Sequence, residues 1–292
     1  MTDASAHATN GAATGSPMGR RWRRFVRHPS AISGSVIVLL VVASAVFAPV
    51  FSPHDVDARN IRARFEPPNT THWLGTDNFG RDTFTRILHG GRVSLRVALG
   101  AVGIAVAVGV LLGSLAGFLG GAVDSVIMRV VDVFLAFPPI LLALLLVAAV
   151  GTGEGSVTVA LGLIYWTAYA RVVRANIVAL REEEFVAASR AMGAHWYRTL
   201  FVHVLPNTLA PIIVVASVGL GSAVTAEAAL SFLGLGIQPP TPSWGSILNT
   251  GLQFLRETPY LSTFPGLAIM VTVLGFNLLG DGLRDVLDPR DV

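Results

Sequence analysis

The stretch that decides the fold is VALGAVGIAVAVGVLLGSLAGFLGGAV, residues 97–123, which lies between Arg96 and Asp124 and contains no charged side chain. An α-helix rises about 1.5 Å per residue, so a run of this length makes about 40 Å of helix. The hydrocarbon core of a bilayer is about 30 Å thick. The stretch therefore predicts a helix that crosses a membrane.

The composition of the whole chain agrees with a membrane environment. Of its 292 residues, 52% are hydrophobic and only 13% are charged. A soluble domain keeps about a quarter of its residues charged, so this chain has too few charges to cover a surface that faces water. The sequence predicts an all-α, polytopic membrane protein.

Five further windows are candidates for membrane-spanning helices because they carry few or no charges. They comprise residues 31–51, 133–153, 155–170 with an extension toward 180, 211–226 and 258–280. Together with 97–123 they predict six transmembrane helices, which places both termini on the same side. A cleaved signal peptide is the alternative for the first window. Its apolar core is usually only about 7–15 residues long, so we predict a retained first helix over 29–51.

The distribution of arginine predicts the orientation, because all 21 Lys and Arg residues of the chain are arginine. Cytoplasmic segments of membrane proteins carry the excess of positive charge, and an inside amino terminus gives that excess here. The predicted cytoplasmic residues are Arg20, Arg21, Arg23, Arg24, Arg27, Arg129, Arg171, Arg174, Arg181, Arg190, Arg198, Arg284 and Arg290. The predicted outer residues are Arg59, Arg62, Arg64, Arg81, Arg86, Arg92 and Arg256.

Three segments complete the predicted organisation. Residues 1–28 form a cytoplasmic tail with a basic cluster, and the Ala, Thr, Ser and Gly of its first part predict disorder. Residues 52–93 form an extracytoplasmic loop. Its part 81–90 predicts an amphipathic helix on the membrane surface, because Phe84, Ile87 and Leu88 share one helical face. Residues 94–292 form the core with the other five transmembrane helices.

A glycine recurs every fourth residue in the second predicted helix. The four residues are Gly109, Gly113, Gly117 and Gly121. This spacing aligns them on one face, where another helix backbone can approach closely. We predict helix packing within the chain, with a subunit interface or a gating surface as the alternative.

Enzymatic functions find little support in the sequence. A phosphate-binding P-loop requires a lysine, and the chain has none; it also has no cysteine for disulfides or thiolate metal sites. Neither an H-E-x-x-H zinc motif nor a G-x-S-x-G nucleophile elbow is present. We predict a non-catalytic chain that binds no metal and no cofactor of its own.

Glu227 is the acidic residue closest to the interior of a predicted span, near the outer end of the fifth helix. Ionisable groups inside a membrane are functional candidates, and this one suits an ion-coupled carrier or a polar path. The alternative, which we favour, is a carboxylate that is solvated or paired at the outer interface.

Residues 181–206 predict two short amphipathic helices between the fourth and fifth spans. In the first, Phe185, Ala188, Ser189 and Met192 share a face. Gly193 interrupts, and in the second Trp196, Leu200 and His203 or Val204 share a face before Leu205-Pro206 ends it. Such a pair fits a groove on a partner protein, or it lies on the lipid headgroups.

This segment resembles the EAA loop of bacterial ATP-binding-cassette (ABC) importer permeases, in which Glu-Ala-Ala, a later glycine and a Leu-Pro pair recur. The matching residues are Ala187, Ala188, Ser189, Gly193, Leu205 and Pro206. Ala187 stands where the pattern has glutamate, Ser189 where it has the second alanine and His203 where it has an aliphatic residue. The neighbouring Glu184 takes over part of the glutamate's role in this interpretation.

Three further segments resemble the dipeptide, oligopeptide and nickel branch of that family, in its second-permease form. They are HWLGTD at 72–77 with GRD at 80–82, LSFLGLG at 230–236 running into 238–245, and residues 277–290. The resemblance covers about residues 25–290.

The resemblance implies the fold of a type I ABC importer permease in the bacterial cytoplasmic membrane. It implies a second homologous permease, two ATPase subunits that hold ATP and Mg²⁺, an extracytoplasmic substrate-binding protein and a peptide substrate, with no nucleic acid. Ala188 would allow close approach of an ATPase, Gly193 would set the angle between the two helices, and Leu205-Pro206 would fix the junction with the fifth span.

Two alternatives remain open at this stage. Within the family, the substrate is a nickel chelate instead of a peptide. From a different class, the chain is an ion-coupled secondary carrier, for which several buried acids or an inverted repeat would be expected. An ABC exporter half is disfavoured because it needs a nucleotide-binding domain on this chain or a close partner, and because the EAA-like loop is typical of importers.

Overall fold

The computed structural model describes residues 23–287. Most of the predicted tail, including Arg20 and Arg21, and the carboxyl-terminal Arg290 lie outside the described residues. Within that range the regular elements are helices, accompanied by one isolated bridge between Thr76 and Asp82. The predicted all-α class is confirmed.

Eleven α-helices carry the labels used below. They are α1 Pro29–Val46, α2 Ala48–Phe51, α3 Thr83–Leu119, α4 Gly121–Leu135, α5 Pro139–Val150, α6 Glu154–Leu180, α7 Glu184–Ala191, α8 Trp196–Arg198, α9 Leu209–Phe232, α10 Trp244–Gln253 and α11 Tyr260–Leu287.

Five helical segments among the described residues are long and apolar enough to cross a membrane: α1, α3, α6, the segment Trp196–Phe232 and α11. The pair α4 and α5 passes the same test together, although the two helices are bent by 90° relative to each other. If this bent pair is counted as one span, the chain has the six predicted transmembrane segments.

The bend corrects the prediction of one straight helix over 133–153. Helix α4 begins much earlier, at Gly121, and α5 ends at Val150. The break falls before Pro138, whose backbone is extended, and α5 then begins at Pro139. Proline disfavours helical geometry in the residue before it and cannot donate a backbone hydrogen bond, which explains why the chain turns here.

The prediction of a surface helix over residues 81–90 is also wrong. These residues enter the first turns of α3, which runs without interruption for 37 residues. The polar side chains Arg81, Asp82 and Arg86 are buried. These side chains find polar partners within the protein instead of in the lipid headgroup region. The helix therefore continues into the bundle.

The fifth span begins earlier than predicted because Leu205-Pro206 does not end the preceding helix. A π-helical stretch, Thr199–Val204, leads into a 3-10 turn, Leu205–Thr208, which continues as α9. Pro206 lies in the first turn of the 3-10 segment, where a missing N–H donor costs little. The helical path is therefore continuous from Trp196 to Phe232.

Helices α3 and α6 form the closest packing in the bundle through three of the four predicted glycines. A Cβ on Gly109 would lie 2.5 Å from the Tyr169 Cβ, and one on Gly113 would lie 2.5 Å from the Ala170 carbonyl oxygen. Gly117 similarly faces Arg174. The prediction of helix packing is wrong for Gly121, because α3 ends before it. Gly121 begins α4 with φ +54° and faces open space.

Residues 52–82, which belong to the predicted extracytoplasmic loop and are called the outer loop below, are folded by polar contacts. The Tyr260 hydroxyl at the start of α11 donates to the carbonyls of Glu66 and Thr76, at 2.9 and 3.1 Å. Gly80 has φ +70°, and a Cβ there would lie 1.8 Å from the Asn60 carbonyl oxygen. The loop is thereby anchored to the bundle at both its middle and its end.

Candidate functional site

Residues 181–206, called the coupling segment below, contain α7, a sharp reversal and the beginning of the path into α9. Helix α7 ends in a Schellman motif: Gly193 N–H donates to the Arg190 carbonyl at 2.9 Å and Ala194 N–H to the Ser189 carbonyl at 3.2 Å. Gly193 adopts φ +78°, a conformation that residues with a Cβ rarely adopt. Glycine at this position lets the chain turn from α7 into α8.

The inner face of the coupling segment packs into the bundle. Val186, Leu200 and Val204 are fully buried and form one cluster with residues of α3 and α6. The hydroxyls of Ser189 and Thr199 lie 3.1 Å apart in a buried contact between the two arms. These contacts hold both arms against the transmembrane helices.

The face of the coupling segment that points away from the bundle, called its outer face below, carries large exposed apolar side chains. Its members are Phe185, Met192, Trp196, Tyr197, Phe201 and Val202. Met192 is 82% exposed, which is unusual for an apolar side chain within a structured segment. Exposed apolar side chains of this kind favour contact with a partner protein or with lipid headgroups.

The predicted site residues divide between these two faces. Glu184, Ala187 and Ala188 are exposed, Ser189 is buried, and Pro206 is exposed. Glu184 also lies in the first turn of α7, where the helix dipole favours a negative charge. The predicted face of Phe185, Ala188, Ser189 and Met192 is corrected at Ser189, which faces the bundle because α7 buries Val186 and Ser189 as a pair.

Ion pairs join two neighbouring helices through contacts that the sequence alone did not reveal. Arg174 donates to Asp124 at 2.6 Å, and Arg171 donates to Asp132 at 2.6 Å. Both pairs connect α6 to α4. The separations of 50 and 39 residues explain why no local pattern could have predicted these contacts.

Glu227 lies on α9 and is fully buried, which excludes the predicted solvated position. Ser231 donates to its Oε1 at 2.7 Å, and the Ile237 N–H donates to the Ser231 hydroxyl at 3.0 Å. Ser94 of α3 and Ser243, the cap of α10, also lie beside the carboxyl group. Glu227 thus joins α9 to the segment that leads into α10.

Two open cavities of about 440 and 450 Å³ lie side by side along α6, α9 and α11, and Tyr165 and Ser222 line both. Thr225 and Asn277 add polar groups to the first cavity, and Asp281 and Arg284 lie at the end of the second. The remaining lining is largely aliphatic. A surface of this kind contacts another subunit or borders a path through the membrane.

The fold and site define a class: a polytopic membrane protein with a rigidly attached docking segment at one end and a partly polar groove between its spans. Residues 109–290 match the family described as the inner membrane component of binding-protein-dependent transport systems. Residues 16–68 match the N-terminal transmembrane domain of oligopeptide transport permease C.

Two relatives illustrate the similarity across the chain. A dipeptide transport system permease protein from Alkalihalophilus pseudofirmus is 44% identical over 275 residues, covering 94% of this chain and 90% of the relative. A glutathione transport system permease protein from Pectobacterium atrosepticum is 44% identical over 270 residues, covering 92% and 90%. The chain belongs to the family of inner membrane components of binding-protein-dependent transport systems.

Proposed function

We propose that this chain is one of two homologous permease subunits of an ATP-driven importer for di- or oligopeptides. In this proposal both termini are cytoplasmic, the coupling segment docks on an ATPase subunit, and a binding protein delivers substrate to the outer surface. ATP and Mg²⁺ bind to the ATPase partners and not to this chain, which is non-catalytic.

The observation that carries the proposal is the two-faced coupling segment. Its buried face is fixed to α3 and α6, and its second arm continues into α9 without a flexible joint. Its other face presents Met192, Trp196 and Phe201 outward. A partner that binds this outer face and moves would displace the transmembrane helices as rigid bodies.

The peptide substrate is supported by the family of relatives that transport dipeptides or glutathione. The groove along α6, α9 and α11 also suits a peptide, because Ser222, Thr225 and Asn277 supply hydrogen-bonding groups among aliphatic side chains. We propose that this groove borders the translocation path, with Asp281 and Arg284 at its cytoplasmic end.

Uptake of a labelled dipeptide by cells with and without the chain tests the proposed function. We expect peptide uptake to fall when the chain is absent and to return when it is restored, with nickel uptake measured in parallel and unchanged. A nickel deficit with normal peptide uptake would instead support the nickel-chelate alternative. Uptake that persists after ATP depletion but collapses with the ion gradient would support the secondary carrier.

The natural absence of cysteine provides a direct test of the groove. Single substitutions Ser222→Cys and Thr225→Cys would be labelled by a small water-soluble thiol reagent in the assembled importer, and transported peptide would slow the labelling. Val126→Cys, at an exposed position of α4, serves as the matched control that peptide should not protect. Equal labelling of all three variants with and without peptide would contradict the assigned path.

A further inference from the structure

A group of three metal-ligating side chains lies in and next to the outer loop, away from the coupling segment and the groove. His54 and His72 belong to the loop, and Asp82 caps the amino terminus of α3. One donor atom from each lies within 4.8 Å of the other two. The two imidazole rings are stacked, with their centroids 4.7 Å apart.

Both histidines direct the same ring nitrogen toward the same oxygen. The Nδ1 atoms of His72 and His54 lie 2.9 and 3.7 Å from Oδ1 of Asp82. In a tetrahedral zinc site with bonds of about 2.0–2.2 Å, neighbouring donor atoms are about 3.4 Å apart. The two observed distances fall on either side of that value, and all three donor atoms lie within 4.8 Å of one another, so small side-chain shifts would bring them to the spacing of a zinc site.

His54 supplies the observation that points to a missing ligand. Its Nδ1 is buried and has no hydrogen-bond partner among the described residues. An imidazole nitrogen without a proton and a carboxylate oxygen are both acceptors, so facing each other without a cation between them would be unfavourable. A metal ion between the two atoms would remove this unfavourable contact.

The surrounding contacts hold the three ligands in place, as the outer shell of a metal site does. The second oxygen of Asp82, Oδ2, accepts the Thr85 N–H at 2.8 Å, which fixes the carboxylate. The His72 backbone N–H donates to Asn69 Oδ1 at 2.8 Å. The neighbouring arginines Arg81 and Arg86 pair with Asp77 and leave the Asp82 side chain to the histidines.

The exposures of the three side chains indicate that an ion would enter from the outer solution. The side chain of Asp82 is 1% exposed and that of His72 is 13% exposed, whereas that of His54 is 31% exposed. His54 is thus the ligand at the mouth of the site, and a water molecule can complete the coordination there. Two imidazoles and one carboxylate are a donor set that suits zinc and its neighbours among the divalent transition metals.

We propose that His54, His72 and Asp82 bind a divalent transition-metal ion, with zinc as the best fit. The ion would join the middle of the outer loop to the first turn of α3. The proposal departs from the sequence-based prediction that the chain binds no metal, because the three ligands are far apart in the chain and follow no metal-binding spacing. The proposal concerns the outer surface alone and does not depend on the transported substrate.

Zinc titration of the full-length chain tests the proposal, with purification free of any polyhistidine tag and prior treatment with a chelator. We expect one zinc ion per chain, and visible absorption bands of a four-coordinate site when cobalt(II) replaces zinc. His54→Gln should weaken zinc binding at least about 10-fold and abolish the cobalt bands. His89→Gln is the matched control, because His89 lies on α3, its ring contacts Ser52 at 3.1 Å, and it does not belong to the three-residue group.

The outcomes separate a metal site from a histidine cluster that binds no metal. Failure of the wild-type chain to bind stoichiometric zinc would overturn the proposal. Equal losses in the His54 and His89 variants would also overturn it. Circular dichroism of each variant verifies the fold, and His54→Gln is chosen because His54 Nδ1 has no hydrogen bond to lose.

Discussion

The outer loop and the coupling segment lie outside the bundle core in different ways. The outer loop is held by buried polar contacts among its own residues and with α11, such as the ion pair between Asp77 and Arg81 at 2.7 Å. The coupling segment is held by apolar contacts on one face and leaves apolar side chains exposed on the other. The outer loop is stabilised by contacts within the chain, whereas the coupling segment leaves a surface that is suited to a partner.

This difference shows how one chain can combine a loop that is stabilised by its own contacts with a surface that is suited to a partner. Buried charge pairs tolerate little displacement, because separating them in a low-dielectric interior is costly. An apolar face can slide or rotate with a bound partner while its buried side remains packed. The following experiments are ordered from the largest expected effect to the smallest, and each tests one side of this contrast.

Gly193→Asp should give the largest effect on function. The left-handed conformation at this position, φ +78°, is strained for a residue with a Cβ, and the added charge would lie on the docking surface. We expect peptide uptake at the background of cells lacking the chain, with normal membrane insertion. Gly121→Asp is the matched control, because Gly121 also has positive φ and open space around it.

Normal uptake by the Gly193 variant would contradict the role assigned to the coupling segment. A comparable loss in the Gly121 variant would show that added charge at a glycine with positive φ, and not the reversal itself, is responsible. Insertion is measured by the amount of chain in washed membranes.

Asp77→Asn should give the largest effect on the stability of the outer loop. Asp77 pairs with Arg81 at 2.7 Å and lies 3.7 Å from Arg86, and all three side chains are buried. Removing one partner of a buried ion pair costs about 3–5 kcal/mol. Limited proteolysis should then cut the outer loop faster, whereas Asp55→Asn, at an exposed position, should leave the rate unchanged.

Leu200→Ala and Met192→Ala compare the two faces of the coupling segment. Leu200 is fully buried, so truncation should lower the free energy of unfolding by about 2–5 kcal/mol. Met192 is exposed, so its truncation should change stability by less than about 0.5 kcal/mol while reducing co-purification of the ATPase partner. Equal destabilisation by both substitutions, measured by thermal unfolding in detergent, would argue against the two-faced arrangement.

Ser189→Ala should give the smallest effect on uptake. The substitution removes the buried hydroxyl contact with Thr199, 3.1 Å long, which is worth about 0.5–1.5 kcal/mol. Uptake should remain close to that of the unchanged chain, since the apolar cluster still holds both arms. A complete loss of uptake would show that this hydroxyl pair, and not the cluster, transmits the movement.

Much of the fold followed from local patterns in the sequence. The fourth span was predicted to extend toward residue 180, and α6 ends at Leu180. The reversal at Gly193 and the amphipathic character of the coupling segment were also visible locally, because both depend on residues only a few positions apart. The continuity of residues 83–90 with the rest of α3 was not, since it depends on whether Arg81 and Arg86 find partners inside the protein.

The sequence by itself determined the number of candidate spans and the class of fold, because the length and composition of apolar stretches decide which segments enter a membrane. It also determined the family, through short motifs that can be read along the chain. The tertiary structure alone decided that Glu227 is buried beside serines, that Pro206 continues a helix, and that His54 and His72 meet Asp82. Each of these depends on groups that are distant in the chain or on the packing of a neighbouring helix. Such contacts leave no periodic trace in the sequence.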